Sequence, residues 1–304
     1  MIMKRLFLSL LVTSLFFAAG CSSGEQPDSS TPEGYPNAHL LTSAAELSDL
    51  LASGDEILLV DARAEIDGQV IPGAVHFPAV SSLIDQDHPI EFYMVGPDRF
   101  QELMQTIGLN EDSKVVIYDE GNALAAARLF YGMDYYGFSN ASVLNGGIQA
   151  WNENNGELTD SPVSPAEGSF QVSVQEALMC DFDYVTAASQ ADDKIIFDAR
   201  SIEEYTGTDE RATQSGHVPN AVHLEWNSVL EPEGIPYFLP AETIQEKYSE
   251  LGITPDKEVI PHCHTNVRGS HAYFTLRLMG YDSVRPYEGS WSDYGNREGA
   301  SVAQ

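Results

Sequence analysis

The feature that most constrains this chain is an internal repeat. Leu59-Val60-Asp61-Ala62-Arg63, followed by Val70-Ile71-Pro72-Gly73-Ala74-Val75-His76, returns as Ile196-Phe197-Asp198-Ala199-Arg200, followed by Val218-Pro219-Asn220-Ala221-Val222-His223. Asp61 and Asp198 stand 137 residues apart, the length of an ordinary domain. A further pair, Val143-Leu144-Asn145-Gly146-Gly147 and Arg285-Pro286-Tyr287-Glu288-Gly289, matches in position more than in identity. Two homologous domains are therefore expected, over 38–155 and 170–304, joined by the Pro- and Ser-containing linker 156–169.

Within each half, short apolar runs alternate with helical patterns, which predicts an α/β class with a parallel sheet covered by helices. Ile57–Val60, Lys114–Tyr118 and Ala141–Leu144 read as strands in the first half, and Lys194–Phe197, Glu258–Pro261 and Ser283–Tyr287 in the second. Ser43–Leu51, Pro97–Ile107, Ala123–Tyr136, Ala241–Leu251 and Val267–Met279 read as helices. Pro97 and Pro240 mark helix starts, where a missing N–H costs nothing.

The first residues carry a different message. Lys4 and Arg5 precede an uncharged run from Leu6 to Ala19, and Gly20 leads into Cys21. That order is a secretory signal, and a run of this length falls short of the ~20 residues a permanent spanning helix needs. Ala19-Gly20-Cys21 resembles the lipobox of bacterial lipoproteins, which implies lipidation of Cys21; otherwise simple cleavage leaves a free thiol. Residues 22–37 read as a flexible tether. By the same resemblance, Ser22 after the cysteine favours the outer membrane facing the periplasm. The expected location is thus the cell envelope, with the lipid as the sole membrane contact.

Removing residues 1–20 leaves 13 basic against 46 acidic residues, a charge of about −33. Nucleic acid is excluded as a partner on that balance. The 43% hydrophobic content argues for a folded acidic protein rather than a disordered one. An anionic ligand would need local cations. The three cysteines, Cys21, Cys180 and Cys263, are too few and too scattered for a disulfide framework, and no Cys or His spacing supplies a metal cluster. The His262-Cys263-His264 triplet does not converge on one ion, and neither metal nor cofactor is expected.

The chemistry concentrates where the strand ending near Pro261 meets the next helix, at His262-Cys263-His264-Thr265-Asn266-Val267-Arg268. Ligands of open parallel sheets gather beyond the carboxyl ends of strands. A loop wound into a helix N-terminus aims several N–H groups inward, and with the helix dipole it lowers a thiol pKa and cradles an anion. A small buried hydrophobe is the commoner fate of a cysteine, and Ala177-Leu178-Met179-Cys180 suits that fate. Cys263 beside His262, His264 and Arg268 suits the functional one.

At these residues the sequence resembles the rhodanese family, in particular its two-domain thiosulfate and 3-mercaptopyruvate sulfurtransferases. The resemblance rests on Asp198-Ala199-Arg200, Glu203-Glu204-Tyr205, Gly216 to Ala221, the loop Cys263 to Arg268 and Glu288-Gly289-Ser290-Trp291. It implies two rhodanese-like domains of which the second is active, since the position matching Cys263 falls at Asp119 or Glu120. It also implies that Cys263 carries a sulfane sulfur as a persulfide, from a small anionic donor to cyanide or a thiol. Loop residues His264, Thr265, Asn266, Val267 and Arg268, together with Arg200, would bind donor and persulfide, with Asp198 in support.

The loop carries His264-Thr265 where thiosulfate enzymes place basic residues and mercaptopyruvate enzymes a Gly-Ser pair. Glu204 or its neighbours stand where the latter carry a second arginine, which favours thiosulfate or an unassigned persulfide donor. Two other classes compete. Cysteine phosphatases need five residues between cysteine and arginine, and this chain has four. A non-enzymatic envelope sulfur carrier needs the loop but not turnover.

Overall fold

A computed structural model describes residues 34–66 and 68–304; the signal, lipobox and most of the tether lie outside the described residues. The first half runs β1 (Leu41–Thr42), α1 (Ala44–Ser53), β2 (Leu58–Asp61), β3 (Val75–His76), α2 (Ala79–Ser82), α3 (Pro97–Thr106), β4 (Val115–Tyr118), α4 (Leu124–Tyr135), β5 (Ala141–Leu144) and α5 (Gly147–Glu153). The second runs α6 (Phe182–Ala188), β6 (Lys194–Asp198), α7 (Ile202–Tyr205), β7 (Val222–His223), α8 (Ala241–Glu250), β8 (Glu258–His262), α9 (Val267–Leu278) and α10 (Ser290–Tyr294). The first sheet has the order β1-β5-β4-β2-β3 and the second β7-β6-β8, all pairs parallel.

Local chemistry explains these boundaries. Ser43 and Glu46 form a reciprocal capping box at α1, and Ser201 and Glu204 form another at α7. Pro97 opens α3 behind Gly96. Val115–Tyr118 is buried at every position, as expected of a strand covered on both faces. Helices α4 and α9 are buried nearly all round because they face each other across the seam between the halves. There Phe130 meets Phe274 edge-on at 4.9 Å and Tyr131 meets Tyr273 at 5.1 Å.

One predicted strand differs. Residues 283–287 make only isolated bridges, Val284 to Val259 and Tyr287 to Cys180. Arg285 N–H donates to Val259 O and Tyr287 N–H to Pro261 O, both across 2.9–3.0 Å. The bond that should lie between them would come from residue 261, whose proline has no N–H.

The repeat register selects Asp119 of the two expected counterparts and shifts the later pair by one place. Asp61 pairs with Tyr118 and Asp198 with His262, so Asp119 is the counterpart of Cys263. Carried through Val115↔Ala141 and Val259↔Val284, Asn145 corresponds to Glu288 and Gly147 to Ser290. The last pair share an unusual backbone, φ 52° and φ 50°.

Candidate active site

Strand β8 delivers Cys263 to the head of α9, with the residue only 1% exposed. The turn into the helix is made by Asn266, whose φ of 57° lies in the left-handed region that asparagine tolerates better than most residues. The C-terminal segment clamps the loop from behind. Cys263 N–H donates to Ser290 Oγ at 3.3 Å, Trp291 N–H to Cys263 O at 2.9 Å and Ser292 N–H to His264 O at 2.8 Å.

The silent half shows what such a loop holds. There the carboxylate of Asp119 accepts from the N–H groups of Gly121 and Ala123 on one oxygen and of Ala125 and Ala126 on the other, at 2.9–3.2 Å. Burial pushes this carboxyl up, while those N–H groups pull toward the charged form. Ala123 repeats the left-handed turn with φ 60°. In the second half, among the described residues, no protein oxygen accepts from the N–H groups of residues 264–268. The loop of the first half is thus filled by a side-chain anion, while its counterpart in the second, one residue shorter, starts at a thiol.

The sequence-predicted residues fall into three groups. Cys263, His264, Thr265, Asn266, Val267 and Arg268 share the loop, with Asn266 buried and the others after Cys263 partly open. Arg268 grips Glu204 through both nitrogens, Nη1 to Oε2 at 2.5 Å and Nη2 to Oε1 at 2.9 Å. Burial alone would lower its pKa, but the hydrogen-bonded Glu204 carboxylate raises it. Glu204 is itself buried, yet Arg268, the Ser201 N–H and Arg211 hold its carboxyl below the usual range. Burial lowers the pKa of His264, against the pull of the Glu204 and Glu91 carboxylates.

Arg200 and Asp198 form the third group, behind the loop. Arg200 forks onto Asp198 with contacts of 2.6–3.1 Å, donates to Gly216 O at 2.8 Å and lies 4.3 Å over the Trp291 ring. It is 1% exposed, with its guanidinium committed to Asp198 and Gly216 behind the loop. Burial works against the charge of Asp198, but His262 and Arg200 outweigh it and hold the carboxyl down. His262, 3.7 Å from Asp198, has its own pKa lowered by burial. The two histidines therefore split, one inward and one toward the rim. Among the described residues no cluster of His, Cys, Asp and Glu is arranged to hold a metal. Cys180 is buried against Arg285 O, and burial pushes its thiol up.

Sequence reasoning missed Arg128. It is the lone charge in the first ten residues of α4 and is 1% exposed, and it reaches across the seam to Glu288 at 2.6 Å. A single arginine in ten otherwise uncharged helix residues was the available signal.

A reactive-thiol loop at the mouth of a parallel sheet, duplicated with its thiol replaced in one copy, defines a tandem protein built for cysteine-centred transfer. The chain belongs to the rhodanese family: the model of the Rhodanese-like domain matches residues 43–154 and 181–297. It is 32% identical to a thiosulfate sulfurtransferase of Azotobacter vinelandii over 263 residues, 84% of this chain and 95% of that protein. It is 29% identical to the sulfur carrier protein TtuD of Thermus thermophilus over 84% of this chain and 90% of that one. In structure it is similar to SseA of Escherichia coli, presented with the fold and mechanism of 3-mercaptopyruvate sulfotransferases. That match has a TM-score of 0.73 and 26% identity, over 84% of this chain and 99% of that one.

Proposed function

We propose that the protein is a thiosulfate sulfurtransferase working through a persulfide on Cys263. The observation that carries this reading is the pair of matching loops, one closed around the Asp119 carboxylate and the other starting at Cys263 in the same strand register. In the first half-reaction the Cys263 thiolate attacks the outer sulfur of thiosulfate, the S–S bond breaks, and sulfite leaves with the bonding pair. In the second, cyanide or a thiolate attacks the terminal sulfur of the persulfide, and the Cys263 thiolate departs in turn. No external oxidant or reductant enters. The N–H groups of residues 264–268 stabilise the terminal sulfur as charge develops on it. Arg268 and His264 at the rim meet the sulfonate, while Asp198, through Arg200 and Trp291, holds the wall behind the loop.

The names of the relatives support this chemistry, and TtuD favours a second reading as a sulfur carrier without rapid turnover. Incubation with thiosulfate followed by intact mass measurement should show one added sulfur atom, removed by cyanide as thiocyanate in repeated turnovers. Loading without turnover would select the carrier reading, and no loading would refute both. We further infer that the mature protein is lipidated at Cys21 and held in the cell envelope at the outer membrane, facing the periplasm. This rests on the Ala19-Gly20-Cys21 pattern behind its signal. Among the described residues no helix is long and apolar enough to span a membrane.

A further inference from the structure

We propose that Arg128, supplied by the half that lacks the cysteine, is a positioning residue for sulfur transfer, because it fixes the turn that shapes the Cys263 cradle. The inference rests on the sulfurtransferase reading and adds an obligatory role for the silent half. Arg128 Nη2 donates to Glu288 Oε1 at 2.6 Å and Nη1 to Glu288 Oε2 at 3.1 Å. That same Oε2 accepts from Asn266 Nδ2 at 2.6 Å, and Asn266 is the left-handed residue of the active loop. A second path runs from Arg128 Nη1 to Ser270 Oγ at 3.3 Å, and from Ser270 Oγ to Asn266 O at 2.7 Å. Both the side chain and the carbonyl of Asn266 are therefore tied to one guanidinium from the other half. The pair is inaccessible, with side-chain exposures of 1% and 0%.

The silent half adds a strap. Met94 N–H donates to Glu288 Oε1 at 2.9 Å, and Phe92, in the left-handed region at φ 60°, turns its carbonyl to Arg128 Nη2 at 3.4 Å. The arrangement is mirrored across the seam, where Phe238 N–H of the second half donates to Asn145 Oδ1. The mirror is unequal in charge. Arg128 and His271 are both the fifth residues of their helices, and burial pushes the His271 pKa down to about 3, so the silent site faces a neutral ring. Arg128 does not touch the rim, so its loss should change the placement of Cys263 without changing access of the donor.

The test uses the full chain with Arg128→Lys, Arg128→Met/Glu288→Gln and, as a control on the seam, Phe130→Ala. The double variant removes the fork without leaving a buried carboxylate unpaired. Displacement of a catalytic group by about 1 Å can cost on the order of a hundredfold in rate. We expect kcat for thiosulfate to fall roughly tenfold to a hundredfold in both Arg128 variants. KM should move less than about twofold, and alkylation of Cys263 by iodoacetamide should slow in parallel. Phe130→Ala should lower the melting temperature yet keep kcat. Wild-type kcat in the Arg128 variants, or an equal loss of kcat in Phe130→Ala at matched stability, would overturn the proposal. If the wild type takes no sulfur from thiosulfate, the function fails separately, and the alkylation rates still decide whether Arg128 positions Cys263.

Discussion

Neutralising Glu204 offers a sharp test of how an acidic protein admits an anion. Its carboxylate, 1% exposed, occupies both nitrogens of the Arg268 fork and cancels the cation nearest the cradle. A donor sulfonate beyond Arg268 would sit roughly 6–8 Å from that carboxylate, which at an effective dielectric of ~20 opposes binding by about 2 kcal/mol. Arg268 keeps 18% of its side-chain surface in solvent, so screening reduces this, and Glu204→Gln should lower KM for thiosulfate roughly threefold to tenfold. The gain should shrink as salt is added. Stability should fall by about 1–3 kcal/mol as a charged hydrogen bond becomes a neutral one. The carboxyl is held down in the folded state, so its contribution is complete above the unfolded pKa of ~4.3 and is lost as pH falls through the lower folded value. Wild type should therefore lose stability on acidification more steeply than Glu204→Gln. The assays are steady-state KM against ionic strength and denaturant midpoints from pH 7 down to pH 3. A KM that rises in the variant with its fold intact would refute the reasoning, because Glu204 would then be orienting Arg268 for the donor.

Cys263→Ser should abolish thiocyanate formation while Cys180→Ser, altering a buried thiol with no path to the loop, keeps most of it; a cyanide assay on both variants decides. Cys21→Ala should shift the protein from the membrane to the soluble fraction on cell fractionation, and continued sedimentation with membranes would end the lipoprotein reading. Asp119→Ala strips the acceptor from four buried N–H groups, so urea unfolding should show a loss of at least about 3 kcal/mol. A loss below about 1 kcal/mol would mean that water replaces the carboxylate.

Much of the fold was legible because the repeat and the strand-to-helix alternation are local signals: the five expected helices and five of the six expected strands fall within a residue or two of their bounds, while the short elements β1, β3, β7, α2, α5, α6, α7 and α10 were not foreseen. The strand expected over 283–287 failed on a non-local fact: its neighbour in space is Pro261, and a missing N–H on the partner cannot be seen in the segment itself. The loop Cys263 to Arg268 was legible as chemistry, since its residues are contiguous. The commitments of its arginines were not. Arg200 turning back on Asp198 and Arg268 meeting Glu204 depend on which side chains the fold brings within reach, and Arg128 comes from a residue 135 positions earlier than Cys263 in a half with no nucleophile.

The filled cradle of the first half also bears on redesign. Asp119 satisfies the cradle from within, and the turn residue lies four positions after it at Ala123, against three between Cys263 and Asn266. Placing a cysteine at 119 would strand the N–H groups that the carboxylate holds and would meet a loop one residue too long for its twin's geometry. Building a second thiol site into this chain would therefore need a substitution and a deletion together, because backbone hydrogen bonds hold the first loop around its carboxylate.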